Sequence, residues 1–251
     1  MSLKTKINKY IRKFGFEIHG LGYLQSLAKG DFKSNELQIL SNLYGDEKLI
    51  IYDVGANIGL KVEEFLIAFP DSKIHAFEPI PDCFKGLEKK FSENDSVVLN
   101  NIGISNEISV KQFNINAGIG TSSFLESKKT GLNSDNQVKT LQKVELPLTT
   151  LDYYAKMNSH FKINLLKLDI QGSELNALKG AEQLLKQKKI DFIFCETYFI
   201  QQYEAQPLFY DISNYLITLD YVLQDVYHPI YGNGKIAWCD SLFVRNDFCF
   251  K

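Results

Sequence analysis

Asp53, Glu78, Asn101, Asp169 and Glu196 each close or directly follow an apolar run in this 251-residue chain. In an open α/β sheet the carboxyl ends of the strands share one edge, where the ligand crevice lies, so the five polar side chains belong to one site. The first run, Leu49-Ile50-Ile51-Tyr52, ends on Asp53 and passes into Gly55-Ala56-Asn57-Ile58-Gly59. Glycines here permit a tight turn and close packing of the following helix. The pattern is Gly-x-Asn-x-Gly, not Gly-x-Gly-x-x-Gly, and puts a side chain where a pyrophosphate would touch backbone. Glu78, about 20 residues after the turn, stands where a carboxylate accepts hydrogen bonds from ribose hydroxyls. These residues predict a nucleoside ligand without a pyrophosphate.

The elements that position them alternate strand and helix: strand to Asp53, helix to Phe69, strand 73–77, helix 82–91, strand 96–101. After an irregular stretch the rhythm returns with strand 162–169, helix 173–188, strand 190–195 and helix 208–219. Strands 221–226 and 241–245, joined through Gly232-Asn233-Gly234, complete seven, the last two as an antiparallel pair. Alternation of this kind implies right-handed crossovers and a parallel sheet. Between Ile104 and Leu148 the pattern gives short β-like pieces, 109–114 and 142–146, around a polar segment, 118–139, expected to be a partly ordered lid.

Length fits one α/β domain, residues 46–251, preceded by an N-terminal helical extension, 1–45. Helix is expected again near Ser34, after a glycine-rich connection. A formal charge of -2 and a pI near 6.1 give no global field for nucleic acid. The four cysteines form no Cys-x-x-Cys pair, which argues against a zinc knuckle and fits a reduced cytoplasm. No apolar run reaches the roughly 18 residues of a spanning helix. Leu3, Ile7, Tyr10, Ile11 and Phe14 alternate with five basic residues as a short cationic amphipathic helix. Such a helix either packs on protein or makes a peripheral membrane contact.

Asp53-Val54-Gly55-Ala56-Asn57-Ile58-Gly59, Phe77-Glu78-Pro79, Leu148-Thr149-Thr150-Leu151-Asp152 and the run Lys167 to Ala181 together resemble the FkbM family of S-adenosylmethionine-dependent methyltransferases. The resemblance covers residues 49–246 and is most specific over Lys167 to Ala181. It implies a class I methyltransferase (Rossmann-like) fold, a seven-stranded mostly parallel sheet with helices on both faces. It also implies S-adenosyl-L-methionine as cofactor and methylation of an oxygen, often on a sugar of a glycan or natural product. By position, Asp53, Gly55, Ala56, Asn57 and Gly59 would surround the amino-acid end of the cofactor. Glu78 and Pro79 would lie at the ribose, with Asn101 and Gly103 near the adenine. Where the family commonly has Glu, this chain has Gln171, which keeps hydrogen-bonding reach without the charge.

Oxygen methylation needs a group that orients the acceptor hydroxyl and takes its proton. Asp169 is the first candidate, Glu196 the second and His228 the third, with Gln171 as a hydrogen-bonding partner. No metal motif is present in their spacing. Two other readings start from the same residues: a nicotinamide-dependent oxidoreductase, which could use the same ribose carboxylate, and a catalytically inactive cofactor-binding module, motivated by Gln171.

Overall fold

The computed structural model describes residues 36–45, 47–128, 137–232 and 234–249. The expected amphipathic helix at 3–14, the connection after it and the Ser34 cap lie outside these. The first described helix, α1 (Glu36–Tyr44), precedes β1 (Ile50–Val54), α2 (Leu60–Ala68), β2 (Lys73–Phe77), α3 (Pro81–Phe91) and β3 (Val97–Asn100). Then come β4 (Gly103–Ile104), β5 (Ser109–Asn116), β6 (Thr140–Thr149), α4 (Leu151–Met157) and β7 (Ile163–Leu168). Two short helices, α5 (Glu174–Lys179) and α6 (Glu182–Lys186), lead to β8 (Ile190–Tyr198), α7 (Phe209–Ile217), β9 (Tyr221–Gly232) and β10 (Lys235–Arg245).

Seven strands form the main sheet in the order β3-β2-β1-β7-β8-β10-β9. Pairing is parallel from β3 to β8, and β10 runs antiparallel to both of its neighbours. This is the architecture expected from the sequence, with a longer terminal hairpin than the pattern indicated. Order reverses at β1, where successive crossovers leave in opposite directions, so the crevice opens beyond the carboxyl ends of β1 and β7.

Burial on both faces explains the near-continuous apolar strands: all six residues of β7 are buried, including Lys167. One layer packs Leu37, Leu40 and Phe65 against Ile51, Leu165 and Phe192. The opposite layer packs Leu151, Ala177, Leu178 and Leu185 against Tyr52, Leu166 and Ile193. Each fully buried Leu, Ile or Phe contributes about 1.5–3 kcal/mol. Helix α1, part of the expected N-terminal extension, is fixed to the sheet where Tyr44 donates to the buried Asp191 carboxylate at 2.8 Å.

The single helix expected over 173–188 is broken in two. A Cβ at Gly180 would stand 2.0 Å from the Ser105 carbonyl oxygen, and the Gly180 carbonyl accepts from Asp152 N. Asp152 in turn accepts from Gln183 N and Leu184 N at the start of α6, so the chain turns where its backbone is claimed from outside the helix. The irregular stretch holds a second sheet, β4-β6-β5. Its strands β5 and β6 are longer than the β-like pieces expected. No helix among the described residues is long and apolar enough to cross a membrane.

Candidate active site

The turn after β1 takes positive φ at Gly55 (84°), Asn57 (50°) and Gly59 (85°). At Gly55 the requirement is also steric, since a Cβ there would lie 2.0 Å from the Asp169 carbonyl oxygen. Gly55 N and Ala56 N donate to the Phe77 carbonyl, tying the turn to the end of β2. Glu78, next along, is 4% exposed and accepts from Asn57 N at 2.9 Å and Ile80 N at 2.8 Å. Burial raises its pKa to about 7 despite those two hydrogen bonds, which favour the charged form.

A cavity of about 210 Å³ opens above these residues, with Gly55, Asn57 and Glu78 in its wall. Phe77, Ile80, Ile102, Phe113 and Phe124 line an apolar part, and Asp169, Gln171 and Glu196 a polar one. Gly103 and Pro79 also face it. The residues fit the expected nucleoside donor: an apolar slot suits a base, and an oriented carboxylate suits ribose hydroxyls. Asn57 Oδ1 is buried without a hydrogen-bond partner among the described residues and lies in the same wall.

Not every expected cofactor residue reaches the cavity. Asp53 is fully buried behind the turn, Ala56 is buried, and Gly59 packs where a Cβ would meet Phe91. Asn101 donates through Nδ2 to the Glu78 and Pro79 carbonyls, so it shapes the Glu78 loop from outside.

Lys167 is the residue that sequence reasoning passed over. Its Nζ stands 3.0 Å from Asp53 Oδ1 and 3.7 Å from Asp169 Oδ2, and donates to the Gly55 carbonyl at 3.0 Å. Burial alone would lower the ammonium's pKa, but Asp53 and Asp169 more than offset this and hold it above the ordinary lysine value. A lysine inside a mainly apolar strand was the available signal, because a buried ammonium needs a paired charge.

Asp169, Gln171 and Glu196 are brought together. Gln171, at φ 53°, donates from Nε2 to Asp169 Oδ1 at 3.0 Å and to Glu196 Oε2 at 2.8 Å. Its Oε1 accepts from Tyr203 OH at 2.9 Å and Tyr198 OH at 3.3 Å, which fixes which end of the amide faces the carboxylates. Tyr198 OH also donates to Glu196 Oε2 at 2.6 Å. Burial, then the Asp169 charge, pushes the Glu196 pKa well above the carboxylate range. Glu174 folds the loop below, accepting from Ile170 N and Gly172 N. Tyr203 comes from an irregular loop without periodicity and left no sequence signal.

His228 is not brought in. It lies on edge strand β9, outside the cavity lining, with Nδ1 2.9 Å from Asp240 Oδ2. Among the described residues no three or more His, Cys, Asp or Glu side chains are grouped to hold a metal ion.

Two loops roof the site. From the expected lid, residues 121–128 lie down on it: Ser123 Oγ donates to the Gln171 carbonyl at 2.7 Å and Phe124 lines the cavity. The loop after β8 is joined to this segment by Lys128 N to the Gln202 carbonyl and Glu204 N to the Glu126 carbonyl, both 2.8 Å. Tyr203 OH donates to the Thr121 carbonyl at 3.1 Å.

A family model described as "Methyltransferase FkbM domain" matches residues 53–223. Methyltransferase sdnD of Sordaria araneosa is 30% identical over 156 residues, covering 53% of this chain and 60% of that protein. Hexuronic acid methyltransferase AglP of Haloferax volcanii is 25% identical over 151 residues, covering 60% and 56%. 2-O-methyltransferase NoeI of Sinorhizobium fredii is 25% identical over 193 residues, covering 74% and 78%. The chain therefore spans less than two thirds of the length of the first two.

Proposed function

The chain belongs to the FkbM methyltransferase family, and on that premise we propose that it transfers a methyl group from S-adenosylmethionine to a sugar hydroxyl, free or within a glycan or glycosylated natural product. The observation that carries this reading is the meeting of Asp169 and Glu196 on the cavity that also holds Glu78. The relative named for a hexuronic acid supports a sugar-class acceptor, and the one named for 2-O-methylation supports an oxygen as the atom methylated.

Bound there, S-adenosylmethionine supplies an electrophilic methyl group. Glu78, oriented by two backbone amides, accepts the ribose hydroxyls, and the slot of Phe77, Ile80 and Ile102 takes the base. Asp169 and Glu196 orient the acceptor hydroxyl and take its proton onto a carboxylate oxygen. Burial and the neighbouring Asp169 charge raise the proton affinity of Glu196, the direction a proton acceptor needs. Gln171 is the neutral bridge of the pair, and a carboxylate in its place would meet two others at hydrogen-bond distance. The departure from the family's usual acid therefore leaves two carboxylates to act. The two roofing loops exclude water.

The test is methyl transfer from labelled S-adenosylmethionine to a panel of sugars, with the ether product identified by NMR. Asp169→Asn is expected to keep donor affinity within a few-fold and lower turnover roughly 10²–10⁴-fold. Normal turnover in Asp169→Asn would remove it from the chemistry, and binding of NAD in place of S-adenosylmethionine would overturn the reading as a whole.

A further inference from the structure

The polar end of the cavity presents the carboxylate oxygens of Asp169 and Glu196. Asp169 and Glu196 face it, and the side-chain donors that touch them are already committed inside the protein. Gln171 Nε2 is shared between the two carboxylates, and Tyr198 OH is held by Glu196. Tyr203 OH goes to Gln171 Oε1 and the Thr121 carbonyl. The Lys167 ammonium is divided among Asp53, the Gly55 carbonyl and Asp169. Two more carboxylates stand behind the pair: Glu174 is buried beneath the loop, and Asp240 lies in register with Glu196 on the neighbouring strand.

Resting on the reading of a sugar acceptor at this site, we infer that the accepted sugar carries no carboxylate and presents hydroxyl or ammonium donors to Asp169 and Glu196, making neutral and amino sugars its substrates and uronic acids non-substrates. A hydroxyl or an ammonium satisfies the unused lone pairs of the carboxylates. A uronate would set a third carboxylate against the pair, where the side-chain donors that touch Asp169 and Glu196 are already committed, an arrangement that rejects the wrong partner by unfavourable like groups as well as by missing contacts.

The experiment uses the full chain with labelled S-adenosylmethionine and matched sets of methyl pyranosides in the gluco, galacto and manno configurations. Each set contains the hexose, the 2-amino-2-deoxyhexose and the uronic acid. In the configuration the enzyme accepts, kcat/KM for the hexose or the amino sugar is expected to exceed that for the uronic acid by roughly 10²-fold or more. Glu196→Gln replaces a carboxyl oxygen by an amide donor, so it should narrow this ratio about tenfold while slowing both reactions. A uronic acid methylated as fast as its neutral counterpart overturns the inference and leaves sugar O-methylation standing. Methylation of no sugar in any set, with donor binding intact, overturns the sugar reading and the inference with it.

Discussion

Replacing Lys167 by Met tests whether the site is assembled around one buried cation. Lys167 and Asp53 are 5% and 0% exposed, with Nζ and Oδ1 3.0 Å apart. At that distance, with an effective dielectric constant near 20, the attraction is about 5 kcal/mol. Much of it offsets the cost of taking both charges out of water, so the pair is not worth that sum. Removing the lysine alone leaves the Asp53 carboxylate buried and unbalanced, a loss of roughly 3–5 kcal/mol. For a chain of this size each kcal/mol moves Tm by about 2–4 °C, giving an expected drop of roughly 6–20 °C by circular dichroism. The double variant Lys167→Met/Asp53→Asn removes the stranded charge and should recover most of the drop, so the two substitutions will not add. A single variant within about 2 °C of the parent, or a double variant as unstable as the summed singles, would refute the argument.

Three further outcomes follow from the same geometry. Glu78→Ala should weaken S-adenosylmethionine binding by roughly 1.5–3 kcal/mol in calorimetry, and unchanged affinity would place the ribose elsewhere. Gln171→Glu puts a third carboxylate beside Asp169 and Glu196 and removes their shared donor; turnover should fall at least about tenfold, and an equal or faster variant would show that the amide bridge is dispensable. The pKa of buried Glu174 is raised from 4.5 to about 7, so its folded state binds a proton more tightly and loses stability as pH rises from about 4.5 through about 7. His75, lowered from 6.5 to about 3 chiefly by burial, acts oppositely, its contribution to stability being lost as pH falls from about 6.5 through about 3. The measurement is therefore a difference: urea stability of Glu174→Gln relative to the parent should improve steadily between pH 5 and pH 7.5, and a pH-independent difference would count against the raised value.

The strand-and-helix rhythm was legible because buried parallel strands are written as apolar runs, and the polar residue closing each run marked the edge where the cavity opens. Asp169 and Glu196 could be named for that reason, and Gln171 from the family resemblance. Asp53 stood out equally, but its side chain turns back under the turn to meet Lys167, a contact decided by the register of β1 against β7, where the two residues are paired. Tyr198 lies beyond the expected strand 190–195 because β8 runs three residues further, and Tyr203 sits in the irregular loop after it. Their hydroxyls matter through partners 27 and 32 residues away in the chain, a separation at which neither periodicity nor turn chemistry carries information. The break after α5 escaped notice because Leu184 and Leu185 continue the apolar spacing across it, while the competing claims on the backbone come from Ser105 and Asp152.

The main-chain bonds between residues 126–128 and 202–204 bear on how this protein could be re-engineered or could diverge. Each loop supplies one amide and one carbonyl to the other, and Tyr203 reaches across both to Thr121 and Gln171. Neither loop is a cassette. Transplanting residues 118–128 from a relative without its own 199–208 would leave buried groups on the recipient loop unmatched, and Gln171 would lose the hydroxyl that sets its amide. Exchange of acceptor preference between members should therefore succeed only when the two loops travel together. A chimera carrying one foreign loop that remained fully active would show that they are inherited independently.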